Sequence, residues 1–287
     1  MSIPLLSTKF NIPPVGAKTI HRQRLLRILD ESLGQTASLI LVCGPAGYGK
    51  TTIVSEWLRT SQEIHPDRFA WLTLERSDDD LTRFLTYFVT ALQHIHPGIG
   101  EGLLKLLKTH RPSPVPVLAT LLINELSEIP GRFFLILDDY HLLTAEAIHN
   151  FMAFLVDHQP PQMCLVLVTR ADPALPLARL RARLQLVELR QEELCFQPDE
   201  VAEFANRAMD LALAPEQLTF LAKKTEGWIS GLQLAAVSLR SVQDRSAFFK
   251  AFSGEHEFIA DYLTDEVLAR LPEHSAALCC KPRSWSV

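Results

Sequence analysis

Gly44-Pro45-Ala46-Gly47-Tyr48-Gly49-Lys50-Thr51 is the stretch that decides the fold of this chain, and it fits the pattern G-x-x-x-x-G-K-[ST] of a phosphate-binding loop. The apolar run Leu39–Cys43, of strand length, stands directly before it. Thr52–Leu58, directly after it, reads as the first turns of a helix. A strand, a loop and a helix in this order favour a phosphate site over the alternative, a glycine-rich turn that binds nothing.

Each residue type in this loop has a chemical reason to be there. The three glycines allow the backbone to turn its N–H groups inward around phosphate oxygens. The helix that follows offers more unpaired N–H groups and the positive end of its dipole to the same anion. The lysine should reach the β- and γ-phosphates, and the threonine hydroxyl should bind Mg²⁺. The expected nucleotide-binding residues are therefore Gly44, Gly47, Gly49, Lys50, Thr51 and Thr52.

An acidic pair follows a second buried-type strand. Asp138 and Asp139 come directly after the apolar run Phe133–Leu137. We expect Asp138 to hold Mg²⁺ together with Thr51, because a cation that bridges phosphates prefers hard oxygen ligands. Asp139 is then placed to polarise an attacking water as a general base. The structural alternative is two acids that end a strand in solvent.

Three arginines are further candidates for the same site. Arg170 follows the strand Met163–Val168 and is expected at the carboxyl edge of the sheet, where it could stabilise charge on the γ-phosphate. An ion pair with Asp172 is the alternative for this arginine. Arg22 and Arg24 precede the core and are expected to line the pocket for the base.

An aromatic residue between glycines marks the C-terminal part of the chain. Trp228 lies in the segment Gly227–Leu232, which reads as a turn between helices. Its indole could pack on a bound nucleotide or simply within the protein, and packing is favoured because an isolated aromatic residue usually belongs to a core.

The composition excludes several classes of protein. The chain has 287 residues, of which 47% are hydrophobic and 21% charged, and a net charge of −5, which argues against a DNA-binding module. No apolar run reaches the length of about 20 residues that a membrane span needs, so we expect no membrane contact. The five cysteines show no C-x-x-C spacing and read as core residues of a cytoplasmic protein.

The pattern of elements predicts an α/β fold followed by helices. Strands that alternate with helical periodicity predict a P-loop NTPase core with a parallel sheet and helices on both faces. From Pro198 onward only helical periodicity remains. We therefore predict four parts: an N-terminal segment leading into the nucleotide site (1–36), the P-loop NTPase core (37–195), a small helical domain (196–252) and an incomplete winged-helix start with an atypical tail (253–287).

Motifs from about Leu5 to Leu271 carry a family resemblance. They are the loop itself, Leu6–Pro14, Leu135–His141, Thr169–Pro173, Leu177–Arg183, Leu189-Arg190, Glu193-Leu194, Thr225–Trp228 and Gly231–Ala235. In this order they resemble the N-terminal half of large bacterial LuxR-type transcriptional regulators, the MalT-like members of the STAND class of signalling NTPases.

The resemblance implies an ATP-driven switch. In this family ADP is held in the inactive state, an unknown small-molecule or protein inducer and exchange for ATP permit self-association and transcription activation, and slow hydrolysis resets the protein. By position, Asp138 and Asp139 would be the acidic pair, Arg170 the sensor arginine, and Arg22 or Arg24 would approach the adenine. DNA would be read only through a C-terminal domain that the resemblance does not cover here. The tail of the incomplete winged-helix start (253–287) reads as that of a truncated product.

Two alternatives remain open at the level of sequence. A small-molecule kinase or a remodelling ATPase would use the same loop for rapid turnover, on the order of 1–100 per second for kinases. A truncated fragment without function would bind no nucleotide. We expect a slow ATPase that acts as a regulatory switch.

Overall fold

The computed structural model of the protein describes residues 4–34, 37–62, 68–108, 113–241 and 249. The chain divides into two compact units, each assembled from separate pieces of sequence. The first unit consists of Met1–Ala17, His21–Pro45 and Gly49–Leu194, and the second of Lys18–Ile20, Ala46–Tyr48 and Cys195–Val287. The incomplete winged helix expected at 253–287 lies outside the described residues.

A five-stranded parallel sheet forms the centre of the first unit. Its strands are β1 Leu39–Cys43, β2 Phe69–Thr73, β3 Phe133–Asp138, β4 Met163–Thr169 and β5 Leu186–Leu189. The strand order is β2-β3-β4-β1-β5, and every neighbouring pair is parallel. The predicted parallel α/β sheet is therefore confirmed. Because β4 lies between β1 and β3, the residues that follow these three strands meet at one edge of the sheet.

Helices cover the sheet on both faces. They are α1 Gln23–Gly34, α2 Lys50–Gln62, α3 Leu81–Leu92, α4 Glu101–Lys108, α5 Val115–Ser127, α6 Glu146–His158, α7 Leu177–Ala182 and α8 Gln191–Leu194. On one face, Leu39 and Leu41 share a buried cluster with residues of α3, α5 and α6. On the other face, Trp57 of α2 packs edge-on against Phe69 and Phe134, which are paired in neighbouring strands. Strands buried on both faces explain the continuous apolar runs of the sequence.

The second unit is helical within its described residues. It contains α9 Pro198–Glu203, which continues as a π-helical turn over Phe204–Ala208, then α10 Pro215–Thr225 and α11 Ile229–Ser241. Pro198 and Pro215 open their helices, where a missing backbone N–H costs nothing. A separate apolar cluster holds these helices together and includes Val201, Leu221 and Leu232. In the described part of the chain, no helix is both long and apolar enough to cross a membrane.

Candidate functional site

The phosphate-binding loop connects β1 to α2, as the sequence pattern requires. The Gly44 N–H donates a hydrogen bond to the Thr169 carbonyl at 3.2 Å, which ties the start of the loop to the end of β4. Gly47 and Gly49 have φ angles of 79° and 70°, which residues with a side chain rarely adopt. Helix α2 then begins at Lys50. The backbone of the loop is thus shaped by its glycines.

Lys50 is held inside this loop. Only 9% of the residue is exposed, and its Nζ donates to the Pro45 carbonyl at 2.8 Å. Burial and, to a smaller extent, the positive charge of Arg170 lower the pKa of Lys50 to about 8, against the opposing charges of Asp139 and Asp138. Arg170 therefore lies close enough to Lys50 for their charges to interact, at the end of β4.

The acidic residue at the end of β3 meets the threonine of the loop. The Thr51 hydroxyl donates to Asp138 Oδ1 at 3.0 Å. Thr51 lies in α2, which follows β1, and Asp138 ends β3, so the contact reaches past β4, the strand between β1 and β3. Burial and, to a smaller extent, the charge of Asp139 raise the pKa of Asp138 to about 7. The hydrogen bonds from Thr51 and the Asp139 N–H and the charge of Lys50 oppose this rise. The structure thus brings together three residues that the sequence predicted for one site.

Asp139 has a different environment from its neighbour. Its backbone is left-handed, with a φ angle of 58°, and its N–H donates to Asp138 Oδ1 at 3.0 Å. The side chain is 38% exposed, and its Oδ1 lies 3.8 Å from Nδ1 of His141. Asp139 therefore presents a carboxylate to solvent beside a buried one. His141 belonged to a sequence motif but was not predicted as a site residue.

The two N-terminal arginines bind backbone carbonyls near the end of the first unit. Arg22 is buried, and its guanidinium donates to Leu194 O at 2.9 Å and to Gly49 O at 3.3 Å. Arg24 donates to Glu193 O at 2.5 Å. Arg22 thus links α8 to the phosphate-binding loop. The proposed contact of either arginine with a base stays a prediction.

Two further residues were predicted for the site, Thr52 and Gly44. Thr52 is exposed in the first turn of α2. A Cβ added at Gly44 would lie 3.1 Å from Cδ1 of Leu194, so α8 approaches the loop closely. Asp172, the alternative partner weighed for Arg170, forms an ion pair with Arg190.

The donor set fits a hard divalent cation that arrives with a nucleotide. Within the described ranges, no group of three or more His, Cys, Asp or Glu residues could hold a metal ion alone. The Thr51 hydroxyl and the Asp138 carboxylate offer two oxygens side by side. Mg²⁺ is commonly bound by one or two protein oxygens and completed by phosphates and water, so these two residues suit it.

Comparisons with known proteins identify a family and several relatives that the chain is similar to. Residues 31–175, about half of the chain, match the family described as "AAA domain". Over 277 residues the chain is 33% identical to the HTH-type transcriptional regulator MalT of Yersinia pestis and 34% identical to that of Yersinia enterocolitica. Each alignment covers 95% of this chain and 30% of the relative. The chain thus spans about a third of the length of these curated relatives.

Two solved structures share the fold at low sequence identity. A Walker-type ATPase of Pyrococcus abyssi superposes with a TM-score of 0.53 at 15% identity, covering 84% of this chain and 74% of that one. The Orc1 protein of Aeropyrum pernix, solved in complex with DNA, gives 0.51 at 17% identity, covering 90% and 70%. These likenesses concern the fold. Over most of its length the chain is similar to the MalT regulators. Its phosphate-binding loop, its parallel sheet and the match over residues 31–175 show that the chain belongs to the AAA domain family.

Proposed function

We propose that this chain is the ATP-binding switch module of a MalT-like transcriptional regulator, which exchanges ADP for ATP and hydrolyses ATP slowly. The observation that carries the proposal is the meeting of Thr51 and Asp138 beside a buried lysine at the end of a parallel sheet. A crevice at the carboxyl ends of parallel strands is the usual place for a nucleotide.

The proposed roles follow from the positions of the side chains. Lys50 supplies a positive charge to the β- and γ-phosphates. Thr51 and Asp138 would hold Mg²⁺, which when bound neutralises phosphate charge during transfer. Asp139, whose carboxylate reaches solvent, takes a proton from the attacking water. Arg170, close to Lys50, stabilises charge on the γ-phosphate.

The regulatory part of the proposal rests on the relatives. The curated proteins that match over 95% of this chain are named HTH-type transcriptional regulators. We assign the reading of DNA to the helix-turn-helix part of such longer proteins and not to the described residues. Self-association and recognition of an inducer by the longer protein complete the proposed switch.

The test is to measure bound nucleotide and turnover in the purified chain. A switch should be purified with ADP and hydrolyse ATP with Mg²⁺ at less than about one turnover per minute, far below the rates of kinases. Lys50→Ala should be purified without nucleotide and should bind ATP at least about 100-fold more weakly, since it removes a charge from a shielded phosphate site. Lys105→Ala, which alters an exposed lysine, is the matched control.

Each other outcome contradicts the proposal. Turnover of many per second with a small-molecule acceptor or a polymer would indicate an enzyme. Absence of nucleotide binding together with non-cooperative unfolding would indicate a fragment that does not form the site. Equal ATP affinity in Lys50→Ala and the unchanged chain would refute the assignment of the loop.

A further inference from the structure

Two consecutive carbonyls of the phosphate-binding loop accept hydrogen bonds from the start of α11 and the turn before it. Trp228 Nε1 donates to the Ala46 carbonyl at 3.0 Å. Ser230 donates to the Gly47 carbonyl through its backbone N–H at 3.1 Å and its hydroxyl at 3.3 Å. Residues 46–48 belong to the second compact unit, together with these donors. The middle of the loop is therefore part of the helical unit.

Two glycines make this close approach achievable. A Cβ at Gly47 would lie 2.5 Å from Ser230 Oγ and 2.6 Å from Trp228 Nε1. A Cβ at Gly231 would lie 2.5 Å from Cε3 of Trp228, so this glycine makes room for the indole ring. The backbone N–H of Trp228 donates to the Thr225 carbonyl at 2.8 Å, which fixes the turn that carries the indole ring. The two glycines and the turn before α11 therefore allow the side chains of Trp228 and Ser230 to reach the loop.

The planarity of the peptide bond transmits these contacts to the amides of the loop. In a trans peptide the carbonyl and the N–H of the next residue point in opposite directions. Holding the Ala46 carbonyl therefore orients the Gly47 N–H, and holding the Gly47 carbonyl orients the Tyr48 N–H. Both N–H groups then point away from Trp228 and Ser230. Phosphate binding by such a loop depends on N–H groups oriented in advance.

We propose that Trp228 and Ser230 are positioning residues, which hold the Gly47 and Tyr48 amides in the orientation that binds the phosphate oxygens of a nucleotide. The inference rests on the proposed function, because it concerns the same site. It makes nucleotide affinity depend on the helical unit. The indole acts through the backbone of the loop, so its loss should weaken binding of ATP and ADP alike and leave the hydrolysis rate of bound ATP unchanged.

Trp228→Phe tests this inference because it keeps an aromatic ring and removes the N–H donor. We expect Kd for both ATP and ADP to rise about fivefold, which corresponds to the loss of one hydrogen bond, with an unchanged single-turnover rate at saturating ATP. The matched control is Trp71→Phe, since Trp71 of β2 also donates a hydrogen bond through its Nε1, to the Thr73 hydroxyl at 2.8 Å. That control should change Kd less than twofold.

A spectroscopic measurement on the unchanged chain provides a second test. The indole N–H resonance of Trp228, assigned by its absence in Trp228→Phe, should shift when ADP and Mg²⁺ are added to the chain after its bound nucleotide has been removed. The four tryptophans give few enough signals for this assignment. An unshifted resonance at saturation, or equal affinities in Trp228→Phe and the unchanged chain, overturns the inference and leaves the proposed function standing. An unchanged chain that binds no nucleotide overturns both.

Discussion

Asp138 and Asp139 are neighbours in sequence with opposite surroundings. Asp138 is 3% exposed at the end of β3, whereas the side chain of Asp139 is 38% exposed. The left-handed backbone of Asp139 turns the chain so that the two carboxylates do not share one environment. This difference fits the two proposed roles, metal binding for Asp138 and proton transfer for Asp139, which the sequence could assign only by order along the chain.

Asp139→Asn should spare nucleotide binding and suppress hydrolysis. The amide keeps the size of the side chain but accepts no proton, so we expect a turnover rate at least about 100-fold lower with Kd for ATP changed less than threefold. Single-turnover hydrolysis and calorimetric titration of the same preparation measure the two quantities. A parallel loss of binding and hydrolysis would instead make Asp139 a ligand of the metal ion.

Asp138 should make stability depend on pH when nucleotide and Mg²⁺ are absent. Its pKa rises from 3.8 to about 7 on folding because the ionised carboxyl is buried next to Asp139. Between these values the folded state binds more protons than the unfolded state, so the free energy of unfolding falls as the pH rises from about 4 to 7. Asp138→Asn removes this dependence and should stabilise the chain by about 2–4 kcal/mol at pH 8.

Urea unfolding at several pH values measures this effect. The advantage of Asp138→Asn should shrink as the pH falls and disappear below about pH 4. Asp139→Asn is the comparison variant and should show a smaller advantage of the same kind, because it removes the charge that adds to the raised pKa of Asp138 but leaves that carboxyl buried. A constant difference between Asp138→Asn and the unchanged chain at every pH would contradict the prediction.

At the scale of elements, three consecutive aspartates before α3 do three different things. Asp80 caps the helix by accepting a hydrogen bond from the Arg83 N–H at 2.9 Å. Asp79 accepts from the backbone N–H groups of Thr144 and Ala145 at the start of α6, at 2.7 Å each. Asp78 is fully buried. A run that reads in sequence as one acidic helix start therefore also joins two other elements.

Asp78 anchors the N-terminal segment to the core. Its carboxylate pairs with Lys9 Nζ at 2.6 Å and with Arg83 Nε at 3.0 Å. Lys9 is only 3% exposed and lies 4.6 Å from the ring centre of Tyr87 in α3. Lys9→Met removes one partner of a buried pair and should lower the free energy of unfolding by about 3 kcal/mol.

Urea unfolding of Lys9→Met measures this anchor. Lys105→Met is the matched control, because the Lys105–Glu101 pair is exposed and should contribute less than about 0.5 kcal/mol. A Lys9→Met chain as stable as the control would show that Arg83 and the Glu75 N–H, which donates to Asp78 Oδ2 at 2.9 Å, satisfy Asp78 without Lys9.

The strands of the first unit were predictable because their residues repeat a simple physical pattern. The bounds of β1, Leu39–Cys43, agree with the apolar run in the sequence. The apolar pattern of the last strand starts at Leu184 in the sequence, but the strand begins at Leu186. Leu184 is 84% exposed with a φ angle of 55°, so it belongs to the turn before the strand despite its apolar side chain. Hydrophobicity alone does not distinguish such a leucine from a strand residue.

The contacts that complete the candidate site were less accessible from sequence. The closeness of Thr51 and Asp138 follows from the loop pattern and a second acidic strand end, so it was predictable. The contacts of Arg22 with Leu194 and of Trp228 with Ala46 involve backbone carbonyls, which every residue carries. Nothing in the sequence marks one carbonyl as an acceptor over another. Only the spacing of Gly227, Trp228 and Gly231 hinted that this segment has a special role.

At the scale of the whole molecule, the two units are interleaved along the chain. Residues 18–20 and 46–48 interrupt the first unit and belong to the second. A nucleotide that orders the loop should therefore also protect residues far along the sequence. We expect ADP with Mg²⁺ to slow amide exchange in α2 and in α11, because the Ser230 N–H of α11 donates to Gly47.

Hydrogen exchange with and without ADP measures this coupling. Lys50→Ala at the same ADP concentration is the control for binding and should show no added protection in either helix. Protection confined to the first unit in the unchanged chain would contradict the expected coupling.

The paired glycines at 47 and 231 have a consequence for how this sequence can evolve. Each leaves room for the same indole ring, although 184 positions separate them. A substitution at position 231 therefore has to await a smaller residue at 228, whereas position 47 is restricted twice, by the ring and by its own φ angle of 79°. Natural variants of this chain should accordingly retain glycine at 47 most strictly, and alter 228 and 231 together.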